Sequence, residues 1–248
     1  MVELRSDERL DQLISSDLNI IQSKEVFSFS LDALLLGHFA KISPRDDKKI
    51  VDLCAGNGAV TLLLASQTKS PVLGVELQPR LIDMARRSVA LNGLSEQVQF
   101  LEADIMELAG QIPYDSVDYL TCNPPYFLGE LTGHVNYNEH YAIARHEIYL
   151  PLAKLIEQVS HLLKMKGKFY LVHRPERLLE IFDELRRQHL TPKRLQFVYP
   201  KANKAANMIL LEAIKNGAER GLKILPPLVV HDEAGHYLPE VKRIVYGS

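Results

Sequence analysis

From Lys49 onward, short apolar runs alternate with amphipathic segments of helical length, and this alternation restricts the possible folds more than any other feature of the chain. Lys49-Ile50-Val51-Asp52-Leu53, Pro71 to Glu76, Val98 to Leu101, Val117 to Cys122 and Lys168 to His173 have strand length. They are nearly continuous in apolar side chains, as strands covered on both faces are. Ala59 to Gln67, Pro79 to Asn92 (closed by Gly93), Leu152 to Leu163 (ended by Gly167) and Arg177 to Gln188 have the spacing of helices. This order predicts a mostly parallel sheet with crossover helices on both faces. Arg194 to Tyr199 and Asn207 to Glu212 are separated by a basic loop instead of a helix, which predicts a closing antiparallel hairpin and seven strands in all.

Upstream, Ser30 stands as an N-cap before the periodic segment Leu31 to Ala40, a helix expected to cover the first strand. The chain reads as a single domain: an extension with its covering helix over 1–45, a catalytic core over 46–215 and a tail over 216–248. Within that tail, Lys242 to Tyr246 reads as an edge strand.

Composition sets the outer bounds. With 248 residues, 46% of them hydrophobic, the chain can bury a full core. No apolar stretch approaches the roughly 20 residues of a membrane span. The first residues lack the basic start and apolar centre of a secretory signal, so a cytoplasmic protein is expected. Cys54 and Cys122 are the only cysteines and are far from Cys-x-x-Cys spacing, which argues against a disulfide scaffold or a cysteine zinc site. His134, His140 and His146 recur every six residues, a spacing that puts them on no common helix face, and no metal is expected. The net charge of −2 hides an asymmetry: residues 1–159 carry 13 Lys+Arg against 22 Asp+Glu, while residues 160–248 carry 16 against 9. A basic distal part suits a polyanionic partner.

The turn Asp52-Leu53-Cys54-Ala55-Gly56-Asn57-Gly58 joins the first strand to its helix, where glycines let a ligand approach the backbone. A dinucleotide fingerprint would need a third glycine at position 61, which is Thr61. Asp52 suits a ligand that carries an ammonium group, as the amino-acid part of S-adenosylmethionine does. Glu76 ends the second strand 24 residues later, where ribose hydroxyls would lie, and Leu77 beside it is expected to share the site. Asp104 follows the third strand, placed to accept from an adenine amino group, with Ile105 as a wall for the ring.

Asn123-Pro124-Pro125-Tyr126 follows the fourth strand. Two prolines remove two backbone donors and keep the segment out of a helix, so the carbonyls of Asn123 and Pro124 stay available to a ligand. The Asn123 side chain adds an acceptor, and Tyr126 with Phe127 adds flat apolar area for stacking. Together they suit a planar amine.

On these motifs the chain resembles class I S-adenosylmethionine-dependent methyltransferases of the amino-methylating group with an Asn-Pro-Pro-Tyr motif. With Phe27 to Leu35, Asn123 to Phe127 and Ala144-Arg145-His146-Glu147, it is similar to the bacterial tRNA adenine-N6 methyltransferase family that modifies the adenosine 3′ of the anticodon in a valine tRNA. Cys54 departs from that family, which often has glycine there. The resemblance implies a Rossmann-like fold, S-adenosylmethionine as cofactor and tRNA as partner. It also implies a loop holding Arg145 and His146 over the acceptor. Lys24, Lys201 and Lys204 are expected to contact the RNA backbone, and a monomer is expected. Two other readings remain: a glutamine-N5 methyltransferase acting on a release factor, since the same tetrapeptide serves an amide, and a nucleoside- or RNA-binding module without catalysis.

Overall fold

A computed structural model of the chain describes residues 2–13, 16–26, 30–125 and 150–247. They begin with an antiparallel hairpin that the sequence reading does not anticipate, β1 (Glu8–Leu13) paired with β2 (Leu18–Ser23). Helix α1 (Leu31–Phe39) follows, with Ser30 at the N-cap but without a side-chain cap bond. The alternating region then runs β3 (Ile50–Leu53), α2 (Ala59–Ala65), β4 (Val72–Glu76), α3 (Pro79–Leu91), β5 (Val98–Glu102) and β6 (Val117–Cys122). It resumes with α4 (Leu152–Leu162), β7 (Leu163–His173), α5 (Leu178–Arg187), β8 (Leu190–Lys201) and β9 (Met208–Lys215), and ends with β10 (Lys223–Ile224), β11 (Leu228–His231) and α6 (Pro239–Tyr246).

Strands β3 to β7 are parallel in the order β5-β4-β3-β6-β7, and β9 enters antiparallel between β7 and β8. These are the seven expected strands, in the expected doubly wound sheet with its antiparallel closing hairpin. The sheet is wider by two short strands, β10 and β11, which run parallel to β8. The chain leaves β3 toward β4 on one side and reaches β6 on the other, so a crevice opens at the carboxyl ends of β3 and β6.

The core forms two layers because side chains alternate across each strand. In β7, Phe169 and Leu171 pack with Leu155 and Ile156 of α4 and with Ile181 and Leu185 of α5. Tyr170 and Val172 face the layer of α1 and α2, where the Tyr170 hydroxyl donates to the Lys41 carbonyl at 2.9 Å. A Cβ on Gly37 would stand 2.8 Å from Leu63, so this glycine sets how closely α1 lies on α2.

Three local expectations are corrected. Helix α1 packs on α2, β7, β9 and α6, and so flanks the first strand of the alternating region more than it covers it. Gly167 does not stop a helix: α4 ends at Leu162, and Gly167 lies within β7 at a register shift against β6. A Cβ there would meet the carbonyls of Lys164 at 2.8 Å and Val117 at 2.9 Å. Lys242 to Tyr246 is helical, because Pro239 starts the segment, Val241 and Ile244 are buried three residues apart, and Gly247 closes it at φ 74.

The N-terminal hairpin is fixed to α3 by charge. Arg87 grips Glu8 through both carboxylate oxygens at 2.6 and 2.7 Å, and Arg80 binds Asp7 at 2.8 Å and Glu8 at 2.6 Å. The Arg87 guanidinium holds the Glu8 carboxyl down at about 2.

Candidate active site

The carboxyl ends of β3, β4, β5 and β6 converge on a cleft of about 910 Å³, its open mouth included. Among the described residues its walls include the turn Cys54 to Asn57, Glu76 at the end of β4 and Leu77 after it, Asp104 and Ile105 after β5, and Asn123 and Pro125 after β6. Of the residues expected to bind cofactor, the structure brings Cys54, Gly56, Glu76, Leu77, Asp104, Ile105 and Asn123 to one cavity.

The turn after β3 is left-handed at Cys54 (φ 56), Gly56 (φ 57) and Gly58 (φ 89). A cysteine in this region of φ costs about 1 kcal/mol or more relative to glycine. The two glycines do different work. A Cβ on Gly56 would meet nothing within 4 Å, so its backbone faces open cleft. On Gly58 it would meet Phe100 at 3.0 Å and Ala85 at 3.2 Å, and Gly58 lies outside the cleft lining. Gly58 therefore serves the packing of the turn on β5 and α3.

Asp52 lies behind the turn. It is 1% exposed, outside the cleft lining, and its two oxygens accept from Thr61 at 2.6 Å and Thr121 at 2.7 Å. Thr61 thus occupies the place of a dinucleotide's third glycine with a hydroxyl that anchors Asp52. Burial pushes the Asp52 carboxyl up to about 6, against the two hydroxyls that pull it down. Asp52 braces the turn from behind and is not itself a cleft-facing carboxylate.

Glu76 is such a carboxylate. Its Oε2 accepts from the Gly56 N–H at 2.8 Å, and its Oε1 accepts from the N–H groups of Leu77 and Gln78, each at 3.0 Å. Burial pushes its carboxyl up from the ordinary value while those three donors favour the charged form. Three donors against about four lone-pair positions leave Oε2 able to take one more hydrogen bond from the cleft. Asp104 caps the short turn Ile105–Glu107, accepting from the Met106 N–H at 2.8 Å, and Ile105 is buried beside it.

At the end of β6, Asn123 and Pro125 line the cleft, and Pro124 between them is buried. Cys122, the last strand residue, is fully buried, and burial together with the neighbouring Cys54 thiol pushes its own thiol well up. Tyr126, Phe127, Arg145 and His146, with Phe27, His134 and His140, lie outside the described residues. Among the described residues no cluster of His, Cys, Asp or Glu could hold a metal ion.

Of the lysines expected at RNA, Lys201 ends β8 and Lys204 lies exposed in the turn to β9. Pairing of His173 with Ile209 and of Val198 with Met208 puts this turn on the same sheet edge as the cleft. The Lys201 ammonium donates to the Glu233 carbonyl at 2.8 Å. Lys24 is exposed just after β2. None of the three lines the cleft. Arg174, missed by the sequence reading, joins the same edge after β7 and donates to the Asn207 carbonyl at 2.7 Å. Ala33, Asn57, Leu81 and Leu150 also line the cleft unforeseen. Asn57 was legible as the middle of the glycine turn, while the others reach the cleft only through tertiary packing.

A parallel sheet with a glycine turn after its central strand, acids after the next two strands and Asn-Pro-Pro across the crevice defines a Rossmann-like methyltransferase. The chain belongs to the methyltransferase domain family, whose model matches residues 44–210. It is 29% identical over 221 residues to a tRNA1(Val) (adenine(37)-N6)-methyltransferase of Porphyromonas gingivalis, covering 86% of this chain and 85% of that one. It is 27% identical over 213 residues to the enzyme of the same name from a Shewanella species, covering 86% and 87%. In fold it is similar to a predicted O-methyltransferase of Agrobacterium tumefaciens, with a TM-score of 0.69, 24% identity and coverage of 87% of this chain and 96% of that one. It is also similar to geranyl diphosphate C-methyltransferase of Streptomyces coelicolor, solved with S-adenosyl-L-homocysteine, with a TM-score of 0.55, 14% identity and coverage of 74% and 78%.

Proposed function

We propose that this methyltransferase moves the methyl group of S-adenosylmethionine to the exocyclic N6 amino group of an adenosine in tRNA, the adenosine 3′ of the anticodon in a valine tRNA. The observation that carries this reading is the meeting of the glycine turn, Glu76, Asp104 and Asn123 around one cleft. The names of the relatives matched over most of the chain supply the tRNA and the adenine.

The residues present fit the cofactor. The Gly56 backbone faces open space, Glu76 Oε2 has an acceptor position for a ribose hydroxyl, and Ile105 and Leu77 offer apolar walls to a purine. Asp104 stands where an amino group on that purine would donate. When bound, S-adenosylmethionine supplies a methyl group on a positively charged sulfur, an electrophile in need of an aligned nucleophile. Asn123 and the Pro124 carbonyl each accept one hydrogen of the substrate amine, which turns its lone pair out of conjugation and toward the cofactor side of the cleft. The surplus proton leaves after transfer, when the methylated nitrogen has become acidic, so no strong base is needed beside Asn123. Tyr126 and Phe127 are assigned to stacking on the extruded base on sequence grounds. Lys201, Lys204 and Lys24, with Arg145 and His146, are assigned to the RNA. A tRNA substrate places the enzyme in the cytoplasm.

The test is incubation of the purified protein and labelled S-adenosylmethionine with bulk tRNA and, in parallel, with a release factor, followed by mass spectrometry of the digested nucleosides and peptides. N6-methyladenosine at a single anticodon-loop position is expected. Label in glutamine of a release factor, or in no nucleoside, overturns the assignment.

A further inference from the structure

The N-terminal hairpin lies outside residues 44–210, the span matched by the methyltransferase family model. Even so, its outer edge is joined to the cofactor turn. Strand β2 pairs with β1 on one side only, which leaves alternate backbone groups on its other side without a ladder partner. Those groups are met by side chains. Asn92, the C-cap of α3, accepts from the Asn19 N–H at 2.8 Å and donates to the Asn19 carbonyl at 2.7 Å. Ser88 of α3 accepts from the Ile21 N–H at 2.9 Å. The fourth group, the Ile21 carbonyl, accepts from the amide of Asn57 at 3.0 Å, and Asn57 is the residue between the two glycines of the turn.

This bond is buried at both ends, with Asn57 3% and Ile21 0% exposed. Asn57 lines the cleft, and so does Leu81, which packs against Ile21 from the first turn of α3. The turn is tied to β4 by the Ala55 N–H to the Val75 carbonyl at 3.0 Å and by Gly56 to Glu76, and it closes on itself through the Gly58 N–H to the Ala55 carbonyl at 2.9 Å, while Asn57 ties it to the hairpin. The hairpin in turn is held to α3 by the pairs of Asp7 and Glu8 with Arg80 and Arg87.

We infer that the hairpin is a working part of the cofactor site, with Asn57 as the positioning residue through which its seating on α3 sets the conformation of the glycine turn. The inference rests on the cofactor reading proposed above and adds the element that controls affinity.

The test is a double-mutant cycle on the full-length protein, with S-adenosylhomocysteine affinity read by calorimetry. Asn57→Asp keeps the shape and removes the donor, and a loss of about tenfold in affinity is expected, the worth of one buried hydrogen bond. Glu8→Gln, remote from the cleft, is expected to raise the KM for S-adenosylmethionine about fivefold through the same hairpin while kcat at saturation stays within about twofold. The double variant is expected to bind no more weakly than Asn57→Asp alone. Wild-type affinity in a folded Glu8→Gln protein, or losses that multiply in the double variant, overturns the inference and leaves the cofactor reading standing. Absence of binding by the wild type overturns both.

Discussion

The carboxylate of Glu76 accepts the backbone N–H of Gly56 at 2.8 Å, so the last residue of β4 holds open the turn that follows β3. The acid at the second strand end and the glycine turn at the first therefore act as one unit. Replacing Glu76 with Ala leaves three N–H groups, those of Gly56, Leu77 and Gln78, without their acceptor. A loss of at least about 3 kcal/mol in unfolding free energy is expected, at about 1 kcal/mol or more per orphaned donor. Chemical denaturation measures it, and a variant as stable as wild type would show that this brace is not formed.

The glycines separate into two kinds, and alanine substitution tells them apart. A Cβ on Gly74 would stand 2.3 Å from the Phe100 ring, so Gly74→Ala is expected to cost about 1–3 kcal/mol of stability through overpacking. Gly56→Ala meets no neighbour and costs only about 1 kcal/mol for its left-handed φ, yet it intrudes on the ligand. Thermal melting with S-adenosylhomocysteine titration should show Gly74→Ala losing mostly stability and Gly56→Ala mostly affinity. The reverse ranking would contradict the assignment.

Asp52 gives a pH signature. Its carboxyl is raised to about 6 by burial, so the folded state holds its proton more tightly than the unfolded chain, whose aspartates titrate near about 3.9. The penalty for ionising it is absent below about pH 4, grows as pH rises and is complete above about pH 6. Relative to Asp52→Asn, the wild type should lose about 2–3 kcal/mol of unfolding free energy between pH 4 and pH 7. A flat difference across that range would mean that Asp52 titrates normally.

Much of this was legible in the sequence where local chemistry and position coincide. Strand alternation, the acids Glu76 and Asp104, and the Asn123 elbow could be read because a strand end in a parallel sheet fixes where a residue goes. What Asp52 and Gly58 do there could not. Residues at a strand end and in a tight turn can face the ligand or the packing behind it, and only the Thr61 and Thr121 hydroxyls and the Phe100 ring decide between them. The hairpin escaped notice for a different reason. Glu8-Arg9-Leu10-Asp11-Gln12-Leu13 is polar for a strand because β1 carries ion pairs, with Arg9 to Asp11 along the strand and Glu8 to Arg80 and Arg87 of α3. In the tail, Lys242 to Tyr246 reads as an edge strand, and burial of Val241 and Ile244 at helical spacing overrides it.

The central claim is that Asn123 takes part in methyl transfer to tRNA beyond lining a ligand cleft. Single-turnover transfer to tRNA by Asn123→Ala, measured beside S-adenosylhomocysteine affinity, tests it most directly. A rate lowered by about 100-fold or more is expected, the scale of losing one hydrogen bond made in the transition state, with affinity within about threefold of wild type. Transfer at the wild-type rate would contradict the account.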